Sequence, residues 1–317
     1  MQKPIQSRLN TQKDTRTSLQ LLILFTTLCQ PLNGFAQVDF TDVDGSILHS
    51  QYHPNPESKF KGTIIFENGS EISLREWTEN KSFLKCIKEQ GNVFLYDRSG
   101  LGKSPQDFSI SLKKPTTAQL VNSKLMKLLR SKQIKAPYIL VAHSYGGLDA
   151  GYFVRKHPDS VVGMLMVDPE PSAFEYSDQI QEKFKTTLTK LIITSGSEEH
   201  KSFGFTNSGE DKTLTAEAFY QHLGFAKTKK QVGELPPMSN KFPIIIASSS
   251  DMNQNAPIKG DWYALQKQWL NRNPNSANFK VRSDHFIQIS RPELICEQLN
   301  KRTKKPHNLP IKTTIIK

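Results

Sequence analysis

The chain has 317 residues, with 42 Lys and Arg against 30 Asp and Glu, a formal charge of +12 and three cysteines. It shows no internal repeat and no low-complexity tract, which leaves one large core, or one core with a cap. The basic residues are spread along the chain apart from Lys227, Lys229 and Lys230 and the run Lys301, Arg302, Lys304 and Lys305. No nucleic-acid-binding motif accompanies them, so a solvated face and a soluble tail account for the charge, and no nucleic-acid partner is expected.

The first 36 residues read as a targeting segment. Lys3, Arg8, Lys13 and Arg16 precede the apolar stretch Leu19 to Leu28, and Gly34-Phe35-Ala36 then offers small residues at −3 and −1 of a cleavage site. The apolar stretch is about ten residues, short of the ~20 that cross a bilayer. Leu28 is too large to precede a lipidated cysteine at Cys29. Cleavage after Ala36 would release an exported protein without a membrane anchor, bound for the periplasm or the exterior of a bacterial cell.

Beyond that segment, strand-like and helix-like runs alternate. Thr63 to Phe66 is a short apolar run, and Trp77 to Glu89 reads as a helix stopped by Gly91. Asn92 to Tyr96 is the next strand, and Leu120 to Lys132 a helix with Val121, Leu125, Leu128 and Leu129 on one stripe. Tyr138 to Val141, Val161 to Val167, Pro243 to Ala247 and Phe279 to Val281 complete the strands. This alternation predicts an α/β fold, a mostly parallel sheet with helices on both faces. Between Pro169 and Phe242 it breaks: the amphipathic stretches Ile180 to Leu191 and Ala216 to Phe225 flank a polar segment, Ser195 to Asp211.

One motif carries chemistry. Val141-Ala142-His143-Ser144-Tyr145-Gly146-Gly147 places a serine between a strand and a helix-compatible stretch, with small residues two before and two after it. That spacing is the signature of a nucleophile elbow, in which strand and helix backbones approach closely and the serine hydroxyl is exposed at the turn. No HExxH or CxxC is present, and the histidines lack metal-ligand spacing, so neither a metal nor a cofactor is expected.

From Phe40 to Leu299 the chain resembles the α/β-hydrolase family. Thr63-Ile64-Ile65-Phe66-Glu67-Asn68-Gly69-Ser70 is similar to the third strand and oxyanion loop, with Asn68 where a histidine is common. Tyr96-Asp97-Arg98-Ser99-Gly100-Leu101-Gly102-Lys103-Ser104 resembles the family's glycine-rich turn, and Ser283-Asp284-His285-Phe286 its histidine loop. With the targeting segment at 1–36 and the basic tail at 304–317 read from their composition, the resemblance implies a hydrolase core at 37–168 and 243–303 and a helical cap at 169–242. It also puts the helices of Cys86 and Cys296 on one face of the sheet, so a disulfide or two buried free thiols are both open.

The implied chemistry is acyl transfer to water. Ser144 would be the nucleophile and His285 its base, with the amides of Ser70 and Tyr145 forming the oxyanion hole. The triad acid is open between Asp251, after the strand ending at Ala247, and Asp168, at the end of the preceding strand; family order favours Asp251. His143 is expected to point away from the reacting face. A small-molecule ester is the leading substrate, ahead of an amide, lactone or peptide. A fold that binds without turnover is the competing reading. The oligomeric state is not legible.

Overall fold

The computed structural model describes residues 37–182, 186, 216–255 and 258–304. Residues 1–36, read above as a targeting segment, the polar segment 195–211 of the insertion and the tail beyond residue 304 lie outside the described residues.

The strands are β1 (Gln37–Val43), β2 (Ser46–His53), β3 (Thr63–Glu67), β4 (Asn92–Tyr96), β5 (Tyr138–His143), β6 (Val161–Val167), β7 (Glu175–Tyr176), β8 (Ile244–Ser249), β9 (Ile258–Lys259) and β10 (Ala277–Val281). Eight of them form one sheet in the order β1-β2-β4-β3-β5-β6-β8-β10. β1 and β2 pair antiparallel, as do β2 and β4, and every later pairing is parallel. β7 and β9 form a small antiparallel pair of their own.

Both faces of the central strands are apolar because both are covered. In β5, Leu140 and Ala142 face one core layer while Ile139 and Val141 face the other. The first layer includes Leu125, Leu128 and Leu129 of α3 (Ala118–Ser131) and Leu148 and Phe153 of α4 (Gly146–Lys156). The second includes Phe83 and Ile87 of α2 (Lys81–Gln90) and Leu294, Ile295 and Leu299 of α9 (Pro292–Lys304). Each of these side chains contributes roughly 1.5–3 kcal/mol by leaving water. Cys86 of α2 and Cys296 of α9 are joined as a disulfide, with Cα atoms 6.2 Å apart.

Two expectations are corrected. The helix read from Trp77 to Glu89 is two helices, α1 (Arg75–Thr78) and α2, because Asn80 accepts the amide of Phe83 at 3.0 Å and starts a new helix. β8 runs two residues past Ala247, since Ser248 and Ser249 pair with Lys280 and Val281 of β10. Asp251 therefore falls inside the following helix, α6 (Ser250–Asn255).

The described part of the insertion supplies α5 (Ala216–Glu234), which buries Phe219, Tyr220, Thr228 and Val232. Its Gly224 lies so close to α3 that a Cβ there would meet Thr116 O at 1.7 Å. Two short helices, α7 (Trp262–Gln266) and α8 (Ile287–Ser290), flank the last strand, the latter just after His285. Among the described residues, no helix is long and apolar enough to cross a membrane.

Candidate active site

Ser144 follows β5 at a turn with φ of +52°, a left-handed conformation that few non-glycine residues adopt. The turn is held by Ser144 N donating to Val167 O (3.1 Å) and by Ser144 O accepting from Gly147 N and Glu170 N (both 2.9 Å). Strain at a residue so surrounded can persist because its neighbours over-determine it. Gly146 explains why the motif needs a small residue two after the serine. A Cβ there would lie 2.5 Å from Asn68 O and 2.8 Å from Glu67 O, so any side chain would push α4 off the loop after β3.

His285 Nε2 lies 2.8 Å from Ser144 Oγ, and His285 Nδ1 lies 2.8 Å from Asp168 Oδ2. The expectation that Asp251 would face the histidine is not met. With β8 extended to Ser249, it is Ser249 that reaches this point, while Asp251 is exposed on α6. Asp168, fully buried at the end of β6, has φ of +42°. Its Oδ1 accepts from Ser249 N (3.0 Å), Trp262 Nε1 (2.8 Å) and Gln266 Nε2 (3.0 Å), and its Oδ2 also accepts from Ser249 Oγ (2.6 Å). Burial alone would favour the neutral acid. The donors, His285 first and then Ser249 and Trp262, outweigh it and hold Asp168 below the usual carboxylate range.

Tyr145 sits immediately before α4, and its ring packs against Phe225 of α5 at 6.1 Å between centroids. Ser70 follows β3 in the loop that touches Gly146. Among the described residues, neither Ser70 N nor Tyr145 N donates to a protein acceptor. Asn68, in place of the family's common histidine, faces the sheet: its Nδ2 donates to Tyr96 O (2.8 Å) and its Oδ1 accepts from Trp77 Nε1 (2.9 Å). His143 is fully buried and turned away from Ser144, with Nδ1 2.7 Å from Glu76 Oε2 and Nε2 3.1 Å from His285 O. Glu76 also accepts from Gly69 N (2.8 Å) and Gln288 Nε2 (2.7 Å), tying the oxyanion loop to α8.

Sequence reasoning passed over the charged cluster beneath this site. Arg98, 3% exposed, lies among Glu67, Asp149 and Glu217 at 3.6, 4.0 and 2.7 Å. Burial pushes Glu67 up to about 7, against the opposing pull of Arg98 and of the Tyr96 hydroxyl, which donates to it at 2.8 Å. Burial likewise raises Asp149 well above its ordinary value, although Arg98 opposes this. Glu170, two residues after Asp168, is pushed up to about 7 by burial, with the hydrogen bond from Tyr176 (2.5 Å) and the charge of Lys229 opposing. The local signal for Arg98 was its place in the turn Tyr96-Asp97-Arg98-Ser99-Gly100, two residues after β4, which marks a tight turn and not a charged cluster. Glu217 stood in a helix-like run with nothing to mark it.

Comparison with known proteins agrees with the fold. A family model described as alpha/beta hydrolase fold matches residues 62–305. The uncharacterized protein YqjL of Bacillus subtilis (strain 168) is 24% identical over 254 residues, 80% of this chain and 87% of its own length. A haloalkane dehalogenase, the DbeA-M1 loop variant from Bradyrhizobium elkanii, superposes with a TM-score of 0.61 at 15% identity, over 86% of this chain and 97% of that one. The carboxylesterase CesB (YbfK) from Bacillus subtilis superposes with a TM-score of 0.53 at 13% identity, over 84% and 90%. At these identities the two structures show likeness of fold alone.

Proposed function

Since the chain belongs to the alpha/beta hydrolase fold family and is a hydrolase of that superfamily, we propose that it is an exported serine hydrolase cleaving a small-molecule ester through an acyl-serine intermediate. The observation that carries this reading is the unbroken relay Ser144 Oγ–His285–Asp168, with both links at 2.8 Å. Ser144 attacks the ester carbonyl as His285 Nε2 takes its proton. Asp168 holds the Nδ1 proton in place and stabilises the imidazolium. The negative charge that develops on the carbonyl oxygen is met by the Ser70 and Tyr145 amides, each such donor being worth ~3 kcal/mol of barrier. Collapse of the tetrahedral intermediate releases the alcohol, protonated by His285. Water, activated by the same base, then frees the acid. No metal or cofactor enters these steps.

A serine at the elbow, where relatives that displace halide or open epoxides use a carboxylate, favours acyl transfer over those chemistries. The insertion 169–242 is read as a cap that shapes the substrate pocket, since α5 lies against the Tyr145 side of the elbow. Export is supported by the order of basic, apolar and small residues in 1–36 and by the disulfide, which persists in oxidising compartments. The test of the activity is turnover of short p-nitrophenyl esters by the protein without residues 1–36. Hydrolysis lost in Ser144→Ala supports the reading, and equal rates in both proteins overturn it.

A further inference from the structure

Gly69 C=O and Ser70 N–H belong to one planar trans peptide, in which the two groups point in opposite directions. Whatever holds the Gly69 carbonyl therefore aims the Ser70 amide. Arg98 holds it: Nη2 donates to Gly69 O at 2.7 Å and Nη1 to Asn68 O at 2.8 Å, so one rigid guanidinium grips two successive carbonyls. The guanidinium is itself held by α5. Arg98 Nε donates to Glu217 Oε1 at 2.7 Å, while Glu217 Oε2 accepts from Glu71 N at 3.1 Å. The carboxylate thus pins the chain on both sides of Ser70. One helical turn on, Gln221 Oε1 accepts from Ser70 Oγ at 2.7 Å, and the Gln221 side chain is fully buried.

We propose that Glu217 and Gln221 of the insertion helix are positioning residues for catalysis, aiming the Ser70 amide through Arg98 and through the Ser70 hydroxyl. This inference rests on the serine hydrolase reading above. The cap would then do more than enclose substrate, because the oxyanion hole is set only when α5 is docked. Further along, α5 also makes polar contacts through Thr228, Lys229 and Gln231. The links of Glu217 and Gln221, however, converge on the chain around Ser70, and burying such polar groups is costly unless their geometry matters. Arg98 needs a carboxylate partner in this dry environment, and Glu217 is the one that hydrogen-bonds it directly.

The test compares the protein without residues 1–36, its Glu217→Gln and Gln221→Leu variants, and Ser144→Ala on a p-nitrophenyl ester. Inhibition by a boronic acid, whose tetrahedral adduct places an oxygen in the oxyanion hole, is measured alongside. The expected result is a kcat at least tenfold lower in Glu217→Gln and several-fold lower in Gln221→Leu. KM stays within about twofold, and boronate affinity falls by the same factor as kcat. A role in folding alone would lower the melting temperature without this split. Should Glu217→Gln fail to fold, Gln221→Leu decides by the same criteria. If Ser144→Ala retains wild-type turnover, the hydrolase reading itself fails. If Ser144→Ala is inactive while folded Gln221→Leu and any folded Glu217→Gln keep wild-type kcat and boronate affinity, only the present inference is overturned.

Discussion

Asp168 meets His285 with one carboxylate oxygen and spends the other on three N–H donors, from Ser249, Trp262 and Gln266. Such a carboxylate is ionised and locked in orientation, the two properties a base-orienting acid requires. Asp168→Asn should lower kcat by up to ~10⁴-fold, because the amide no longer stabilises the imidazolium or selects its tautomer. Asp251→Asn, an exposed change on α6, should stay near wild type. Steady-state kinetics on both variants checks this; the reverse pattern would return the role to Asp251.

Why the sequence favoured the other aspartate is a matter of strand ends. Ser144, His285, Ser70 and Tyr145 sit in motifs whose meaning is local, since a strand, a tight turn and small flanking residues can be read within ten positions. Where β8 ends is decided by pairing with β10, with Ser249 opposite Val281, and no residue near Ser249 announces that. The two-residue extension carries Asp251 past the site. Glu217 and Gln221 were illegible for a similar reason: their partners Arg98 and Ser70 lie 119 and 151 residues away. The break at Asn80 was open to local reasoning, because asparagine is a strong helix cap.

The Cys86–Cys296 bond joins residues 210 apart, tying α2 to α9. Closing so long a loop restrains the unfolded chain, and its loss should cost about 2–5 kcal/mol. Replacing both cysteines by alanine should therefore lower the urea midpoint with little change in kcat, since neither residue touches the site. An unchanged midpoint would show that the bond does not constrain the unfolded protein.

Glu170 gives a pH signature. Its folded value of about 7 lies above its ordinary 4.5, so the folded protein holds a proton that the unfolded chain has released. That contribution to stability is full at low pH and is lost as pH rises from about 4.5 to about 7. Glu170→Gln keeps an oxygen for the Tyr176 hydroxyl and cannot ionise. The melting temperature of the variant should gain on wild type across that window and then run parallel above it. Parallel curves throughout would contradict the shift.

Secretion makes a prediction of its own. When the full chain is expressed in a bacterium, N-terminal sequencing of the exported product should begin at Gln37. A membrane-bound product that retains residue 1 would count against cleavage after Ala36.

The central claim is that Ser144 becomes covalently acylated, and the most direct measurement is mass spectrometry of the protein quenched during turnover or reacted with a fluorophosphonate. The account predicts one adduct, on the peptide carrying Ser144, slowed in His285→Ala and absent in Ser144→Ala. Turnover without any adduct, or an adduct on another residue in wild-type protein, would contradict it.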